Sequence, residues 1–489
     1  MGYSAISYTI LFIPLVAGLI VNIMPRRSLK LVILNASYLA LYALFTSLLL
    51  AHPSPIICNF LTIRNAILLN STSIMLLIIL TFCSHMLLLG FIMNRTKVLE
   101  KLDSILLMLF ATYGIIMSNN LIMLLLFMEI ALATTTFVLL SNKKSSLEAT
   151  LKMVIMLVLG GIFMIVGLGG LYTILRGAGM NISDLSFSFF SSSTHMVVPH
   201  AKLLLNMILL SYLVTLVGIC IETGLVPFYM WLPDVYSGPS ASSSALFILL
   251  IDTADLYALL RLSSLYGFLF SSYINLKELV TNTILIFSIA SFVLGELSAL
   301  TQRRLRRIFG YSGVADAGYT LLLSACLALS GIPLVNSSSL LATATFFIMF
   351  SNIALSNIIS LIGLAEEKGI SNIDEIRGLP WKLPLLSTNL VISLLSLAGA
   401  PPLAGFIAKF FVISAIVSNL EKVVAIIAAI FFGVSAAYVL RVITTLLSRP
   451  TRPIKEKEQI TPLLPFLIVN LVLLICGISP GLVLKFMMR

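Results

Sequence analysis

At 59% apolar and 10% charged over 489 residues, the chain carries too few charges for a water-soluble surface, where about a quarter of residues are ionic. It belongs in a lipid bilayer. The net charge of +11 is divided among short connections between apolar stretches, which excludes a nucleic-acid patch and reads as membrane topology.

About fourteen apolar stretches of roughly 20 residues follow one another. They begin near Tyr3, Leu29, Ala66, Asp103, Leu121, Leu151, Ala201, Pro239, Leu276, Ile308, Leu340, Pro384, Val423 and Thr461. The first lacks a basic leader and a small-residue cleavage site, so it is expected to be a retained helix. Residues 1–102 hold three helices, 103–270 and 271–450 form two blocks of about five spans, and 451–489 hold a last helix. The connections from Arg176 to His200 and from Glu366 to Lys382 read as surface loops, rich in Ser, Asp and Gly. The expected fold class is therefore an all-α membrane protein.

Basic residues fall in alternate connections: Arg26, Arg27 and Lys30; Arg95, Lys97 and Lys101; Lys143 and Lys144; Arg303, Arg304, Arg306 and Arg307; Lys368, Arg377 and Lys382; Arg449, Arg452, Lys455 and Lys457. The intervening connections hold few, chiefly Arg64, Arg176, Lys202, Lys277 and Lys422. By the positive-inside rule both termini lie on the outer face of a cell membrane.

The fourth span of each block is interrupted. Leu203–Ile221 breaks at Glu222-Thr223-Gly224-Leu225-Val226-Pro227, and Leu385–Leu397 breaks at Gly399-Ala400-Pro401-Pro402, with Lys409 two turns beyond. Matching interruptions point to inverted repeats and to an ion site near the bilayer midplane, with Gly224, Pro227, Gly399, Pro401 and Pro402 as the helix breakers. An odd number of spans per block inverts the second against the first.

The charges inside apolar stretches are Glu129, Glu222, Asp252, Asp255, Glu296, Asp316 and Lys409, with Lys152 at the start of a span. Each costs about 2.5–3.5 kcal/mol on insertion scales, and Glu129, Glu222, Asp252, Asp255, Lys409, Lys152 and Asp316 are the candidate proton or ion relay. Bland roles compete. Glu296 and Asp316 could pair with Arg303 to Arg307, the reading slightly favoured here. Lys152 could snorkel to the headgroups, and Asp252 or Asp255 could cap an irregular turn.

Five cysteines (Cys58, Cys83, Cys220, Cys326, Cys476) stand singly, without CxxC spacing. His85 is the one histidine clearly inside a span. There is no GxxxxGK[ST] loop and no credible GxGxxG. No metal, haem, iron–sulfur cluster or nucleotide is expected in this chain.

Three stretches are the most specific: LVPFYMWLPDVYSGPSASSSALF (Leu225–Phe247), LTQRRLRRIFGYSGVADAGYTLL (Leu300–Leu322) and LAGAPPLAGFIAKFFV (Leu397–Val412). Together they closely resemble the antiporter-like membrane subunits of respiratory complex I, the N type in particular. Multisubunit cation/proton antiporters and membrane-bound hydrogenases share this family. The resemblance implies fourteen helices with two inverted five-helix repeats. It also implies a central chain made of a glutamate in the fifth helix, lysines in the seventh and eighth, a histidine-bearing connection, and a lysine or glutamate in the twelfth. Glu129 matches the first position and Lys409 the last. The seventh-helix lysine is replaced by Glu222 and the eighth-helix one by Thr253, between Asp252 and Asp255. The expected histidine is Asp316, and an asparagine before the ALTQ segment is Glu296. Basic or neutral relay positions have thus become acidic, which suits stored protons or sodium held by oxygen ligands.

The resemblance further implies partner membrane and peripheral subunits that carry the redox chemistry of quinone or ferredoxin, with iron–sulfur clusters and a flavin or nickel–iron site. The leading expectation is a proton- or sodium-translocating subunit of a redox-driven pump. The alternatives are a structural paralogue that no longer conducts and a subunit of a cation/proton antiporter. A carrier for an organic solute comes last.

Overall fold

The computed structural model describes residues 3–51, 55–60, 63–177, 185–188, 202–270, 274–330, 339–450 and 459–488. Most of the connection from Arg176 to His200, and the basic residues Arg452, Lys455 and Lys457, lie outside them. Helices α1 (Tyr3–Ile23) and α2 (Arg27–Ala51) lead to a hairpin of β1 (Ile56–Phe60) and β2 (Ile63–Leu69). Then come α3 (Ser71–Met93), α4 (Leu102–Met117), α5 (Leu121–Leu139), α6 (Lys144–Gly177) and α7 (Lys202–Glu222). Two short helices, α8 (Trp231–Ser237) and α9 (Ala241–Phe247), precede a π turn at Ile248–Asp252, which runs into α10 (Thr253–Leu269). The remainder is α11 (Ile274–Thr301), α12 (Leu305–Ser330), α13 (Ser339–Glu366), α14 (Pro384–Ala398), α15 (Ala404–Asn419), α16 (Lys422–Leu447), α17 (Leu464–Ile478) and α18 (Pro480–Met487).

Among the described residues, eleven helices are long and apolar enough to cross a membrane. Three of the fourteen expected stretches are not single long helices. The one from Asp103 gives the 16-residue α4. Those from Pro239 and Pro384 are split, the first by the π turn and the second by the Gly399–Pro402 break. A further difference is the stretch from Ala66. Ala66 lies in β2, paired antiparallel with β1, and the helix starts only at Ser71. Asn70 sets that start, because its side chain accepts from Ser73 N at 2.9 Å while Ser73 Oγ accepts from Asn70 N at 3.0 Å.

The core of the bundle is α13, wholly buried over its apolar window, together with α12. With lipid outside, helices gain little from apolar contact, so close approach and buried polar pairs hold them together. A β-carbon at Gly318 of α12 would lie 2.6 Å from Phe292 N of α11, so only glycine permits that crossing. A polar knot ties the C-terminal helix in. Asn357 of α13 donates to Ser393 of α14 at 3.0 Å and to Asn470 of α17 at 3.1 Å, and Asn470 donates to Asn389 O at 2.9 Å.

The basic connections meet at one end of the bundle. Lys101 Nζ donates to the carbonyls of Val138 and Leu140. Arg306 bonds Pro239 O and pairs with Glu366, and Arg307 pairs with Asp234. Ile373 N reaches Arg303 O. At the other end the hairpin, Ser118–Asn120 and 185–188 meet through Asn119 N to Ala66 O and Phe187 N to Asn119 O, both 2.7 Å.

At the basic end, Glu375 Oε2 accepts from Ser371 N at 2.8 Å and Asn372 N at 2.9 Å. These backbone donors hold its carboxyl down to about 2. A folded value below the unfolded one, about 4.3, means the carboxylate steadies this turn above pH ~4.5. That contribution disappears as pH falls toward about 2. Thermal unfolding should therefore separate wild type from Glu375→Gln at pH 6 and bring the two together near pH 2. A gap that persists at the acid end would rule out the carboxylate as its source.

Candidate functional site: a buried row of ionisable groups

Both interruptions are built alike. Gly224 and Gly399 take left-handed φ of 64° and 81°, conformations that favour glycine. In the first break Leu225 N bonds Cys220 O at 2.9 Å and Gly224 N bonds Ile221 O at 3.2 Å. In the second Ala400 N bonds Leu395 O at 2.9 Å and Gly399 N bonds Ser396 O at 3.0 Å. These pairs satisfy carbonyls that the ended helices would leave open. Pro227 and Pro402 each follow the glycine by three residues, and both are preceded by cis bonds. Trp231 Nε1 donates to Ile221 O at 3.1 Å and pins the far side of the first break.

The first break ends α7 on Glu222, which is 8% exposed. The second places Lys409 on α15, with its stem beside Gly399: a β-carbon there would lie 3.0 Å from Lys409 Cδ. A row of ionisable groups runs between them, each within electrostatic reach of the next. Glu129 of α5 and Glu222 lie within electrostatic range of one another, as do Glu222 and Asp255, and Asp255 and Asp252, which are three residues apart along the π turn and α10. Asp252 then senses Asp316 of α12, and Asp316 senses Lys409. Glu222, Asp252, Asp255 and Asp316 are all buried. The row reaches the surface of the chain at Glu129 and partly at Lys409.

Helix α6 carries no side chain where the row crosses it. A β-carbon at Gly161 would lie 2.3 Å from Glu129 Oε1 and 4.0 Å from Glu222 Oε1, and one at Gly160 would lie 3.0 Å from Glu222 Oε1. The two carboxylates thus meet over a glycine notch.

Hydroxyl groups line the rest. Tyr236 donates to Asp252 Oδ2 at 3.0 Å and Ser351 to Asp316 Oδ2 at 2.5 Å. Asn352 donates to Thr253 at 3.0 Å, and Lys409 Nζ to Ser435 at 2.6 Å, above the Phe432 ring. Asp255 Oδ1 is buried without a partner, as is Glu296 Oε2. Buried polar atoms of this kind call for water, a proton or an ion.

Asp316 lies mid-helix and Glu296 is 2% exposed, so the favoured reading of both as partners of Arg303 to Arg307 does not hold. Glu296 accepts from Tyr319 at 3.5 Å and lies near Tyr438 and Lys409. Arg306 and Arg307 have Glu366 and Asp234 instead. Glu296 thus joins the relay candidates. Asp252 accepts from Tyr236 and does not cap a turn with its side chain. Lys152 stands apart from the row. It is half-exposed and paired at 2.8 Å with both Glu148 and Asp234, beside Arg307. The tyrosines, Ser351 and the π turn were not found by sequence reasoning.

With this geometry in view, the chain was compared with known proteins. Residues 118–440 match the family described as NADH:quinone oxidoreductase/Mrp antiporter, transmembrane. An NADH-quinone oxidoreductase subunit N from Dehalococcoides mccartyi is 30% identical over 391 residues, 78% of this chain and 77% of that one. Another from Ectopseudomonas mendocina is 32% identical over 309 residues, 63% of this chain and 57% of its own length. The latter match thus covers little more than half of that relative. Among solved structures, a chain of the Mrp complex from Dietzia superposes with a TM-score of 0.83 at 17% identity, covering 100% of this chain and 96% of that one. At that identity the likeness shows a shared fold. This multi-pass membrane chain belongs to the family of NADH:quinone oxidoreductase and Mrp antiporter transmembrane subunits.

Proposed function

We propose that the chain is a proton-translocating membrane subunit of a redox-driven assembly of the complex I type. The observation that carries this is the row from Glu129 to Lys409, continuous across two like-built helix breaks and buried in between. Isolated charges placed for stability alone would not need to line up. The relatives named subunit N of NADH-quinone oxidoreductase support the redox-driven version.

In this reading, residues 103–270 and 271–450 are inverted repeats within fourteen spans, and the basic end faces the cytoplasm with both termini outside. Partner subunits bring the iron–sulfur clusters, a flavin or nickel–iron site, and quinone or ferredoxin as electron carriers. A change of charge at Glu129 alters the proton affinity of Glu222, and the change passes along Asp255, Asp252 and Asp316, because neighbouring titrations are linked. Glu296 lies near Lys409 at the end of the row, and Lys409 passes the proton toward the outer face. Tyr236, Ser351 and Tyr319 each place a hydroxyl on one carboxylate of the row, Asp252, Asp316 and Glu296 in turn. Lys152, tied to Glu148 and Asp234, holds the basic end in place.

Sodium is the second cargo considered. The Dietzia likeness favours an antiporter subunit as the second assembly. A mild-detergent pull-down of the native protein with mass spectrometry separates the two. Iron–sulfur or quinone-site subunits support the redox pump, and small antiporter subunits alone move the case to ion exchange.

Two substitutions test the row itself. Glu222→Gln should leave assembly intact and abolish proton movement, whereas intact redox-driven pumping would remove Glu222 from the pathway. Gly161→Ala puts a methyl group where Glu129 Oε1 now lies. The carboxylate is the mobile partner, so the helix should stay and Glu129 should swing away. This chain's share of the protons moved per electron should fall, by up to the ~10²-fold that a misplaced reacting group can cost, with redox turnover measured alongside. Unchanged coupling would show that the notch has no part in transfer.

A further inference from the structure

Arg261 lies on α10, six residues beyond Asp255, and is 4% exposed. Among the described residues no carboxylate pairs with it. Its Nη1 reaches only Ile116 O, at the long distance of 3.5 Å, and its Nη2 is buried without any acceptor. The guanidinium rests 4.3 Å from the Phe187 ring centre and 5.8 Å from that of Tyr257. Aromatic faces offset part of a buried positive charge, but they give Nη2 nothing to donate to.

An arginine cannot escape this problem as lysine can, because its guanidinium keeps its proton in proteins. A buried, permanent charge with no acid partner among the described residues is costly, and a counter-charge beside it would offset that cost. The guanidinium borders a small cavity that Asn70, Ser73 and Tyr257 also line, with apolar walls from Leu68, Ile116 and Phe187. Among the described residues no acidic side chain lines it.

We propose that this cavity is a binding site for a small monovalent anion of the halide class, chloride being the ordinary occupant. One guanidinium suits one negative charge. The apolar walls disfavour strongly hydrated phosphate or sulfate, which would lose water without replacement, and the space accommodates little more than a water-sized particle. The anion would sit under the hairpin, where β2, α4 and the 185–188 segment converge on α10, and would bind them through Arg261. It would also neutralise the permanent cation on the helix that carries Asp252 and Asp255. The site stands whether or not the row conducts protons.

The test uses the purified full-length protein in detergent at constant ionic strength. Thermal unfolding should be raised by a few degrees in sodium chloride or bromide relative to sodium gluconate, as expected for a ligand that binds only the folded state. Wild-type protein should also broaden the chloride-35 resonance, and bromide should reverse that broadening. Arg261→Gln should abolish both effects. Leu341→Phe, which fills the cavity and keeps the guanidinium, should abolish them too and covers the case in which the arginine variant does not fold. Equal unfolding midpoints in all three salts, no chloride broadening, or a halide effect that survives both substitutions would overturn the proposal.

Discussion

A charged side chain in a bilayer must be enclosed by protein, because lipid offers it neither hydration nor hydrogen bonds. Much of this fold follows from that need. A chain with 10% charge places a string of acidic groups inside the bundle, and helices α12 and α13 beside them are the most completely buried of the long spans. Helix α13 contributes no charge at this depth. It supplies Ser351 and Asn352, which satisfy Asp316 and Thr253 from the side that would otherwise face apolar groups.

The two breaks solve the same problem at the level of backbone. An unbroken helix offers a buried carboxylate only side-chain partners, since its own backbone groups are already paired. Ending α7 at Glu222 and α14 at Ala398 places irregular turns near the two ends of the buried course, while the glycine caps keep the freed carbonyls bonded. The π turn at Ile248–Asp252 has a related effect within a span. It interrupts the regular helical bonding at Asp252, the residue on which Tyr236 converges.

How much of this could be read in the sequence depends on the range of the signal. Gly224, Pro227, Gly399 and Pro402 announce the breaks locally, because glycine and proline state their backbone needs without help from the fold. The alternating basic connections likewise foretold which loops meet at one end. The hairpin was hidden because Ala66-Ile67-Leu68-Leu69 runs straight into the apolar α3, and only the pairing with Ile56–Phe60 distinguishes strand from helix start. Lys152 and Lys409 look alike in sequence, yet Lys152 meets an acid 82 positions away while Lys409 turns inward to Ser435. Glu296 was misjudged for the same reason: basic neighbours in sequence were nearer on paper than Tyr319 and Tyr438 are in space. Hydroxyl donors such as Tyr236 and Ser351 are too common in the chain to stand out before their partners are known.

The central claim is that the row conducts as a unit. The most direct measurement is proton release into the lumen of vesicles by the native assembly, followed with a pH-sensitive dye at matched redox turnover. Wild type would be compared with a chain in which Glu129→Gln, Glu222→Gln and Lys409→Met are combined. Loss of this chain's share of protons per electron, with turnover and assembly retained, is the result expected. An unchanged proton count would contradict the account and leave the chain as a non-conducting structural member of its complex.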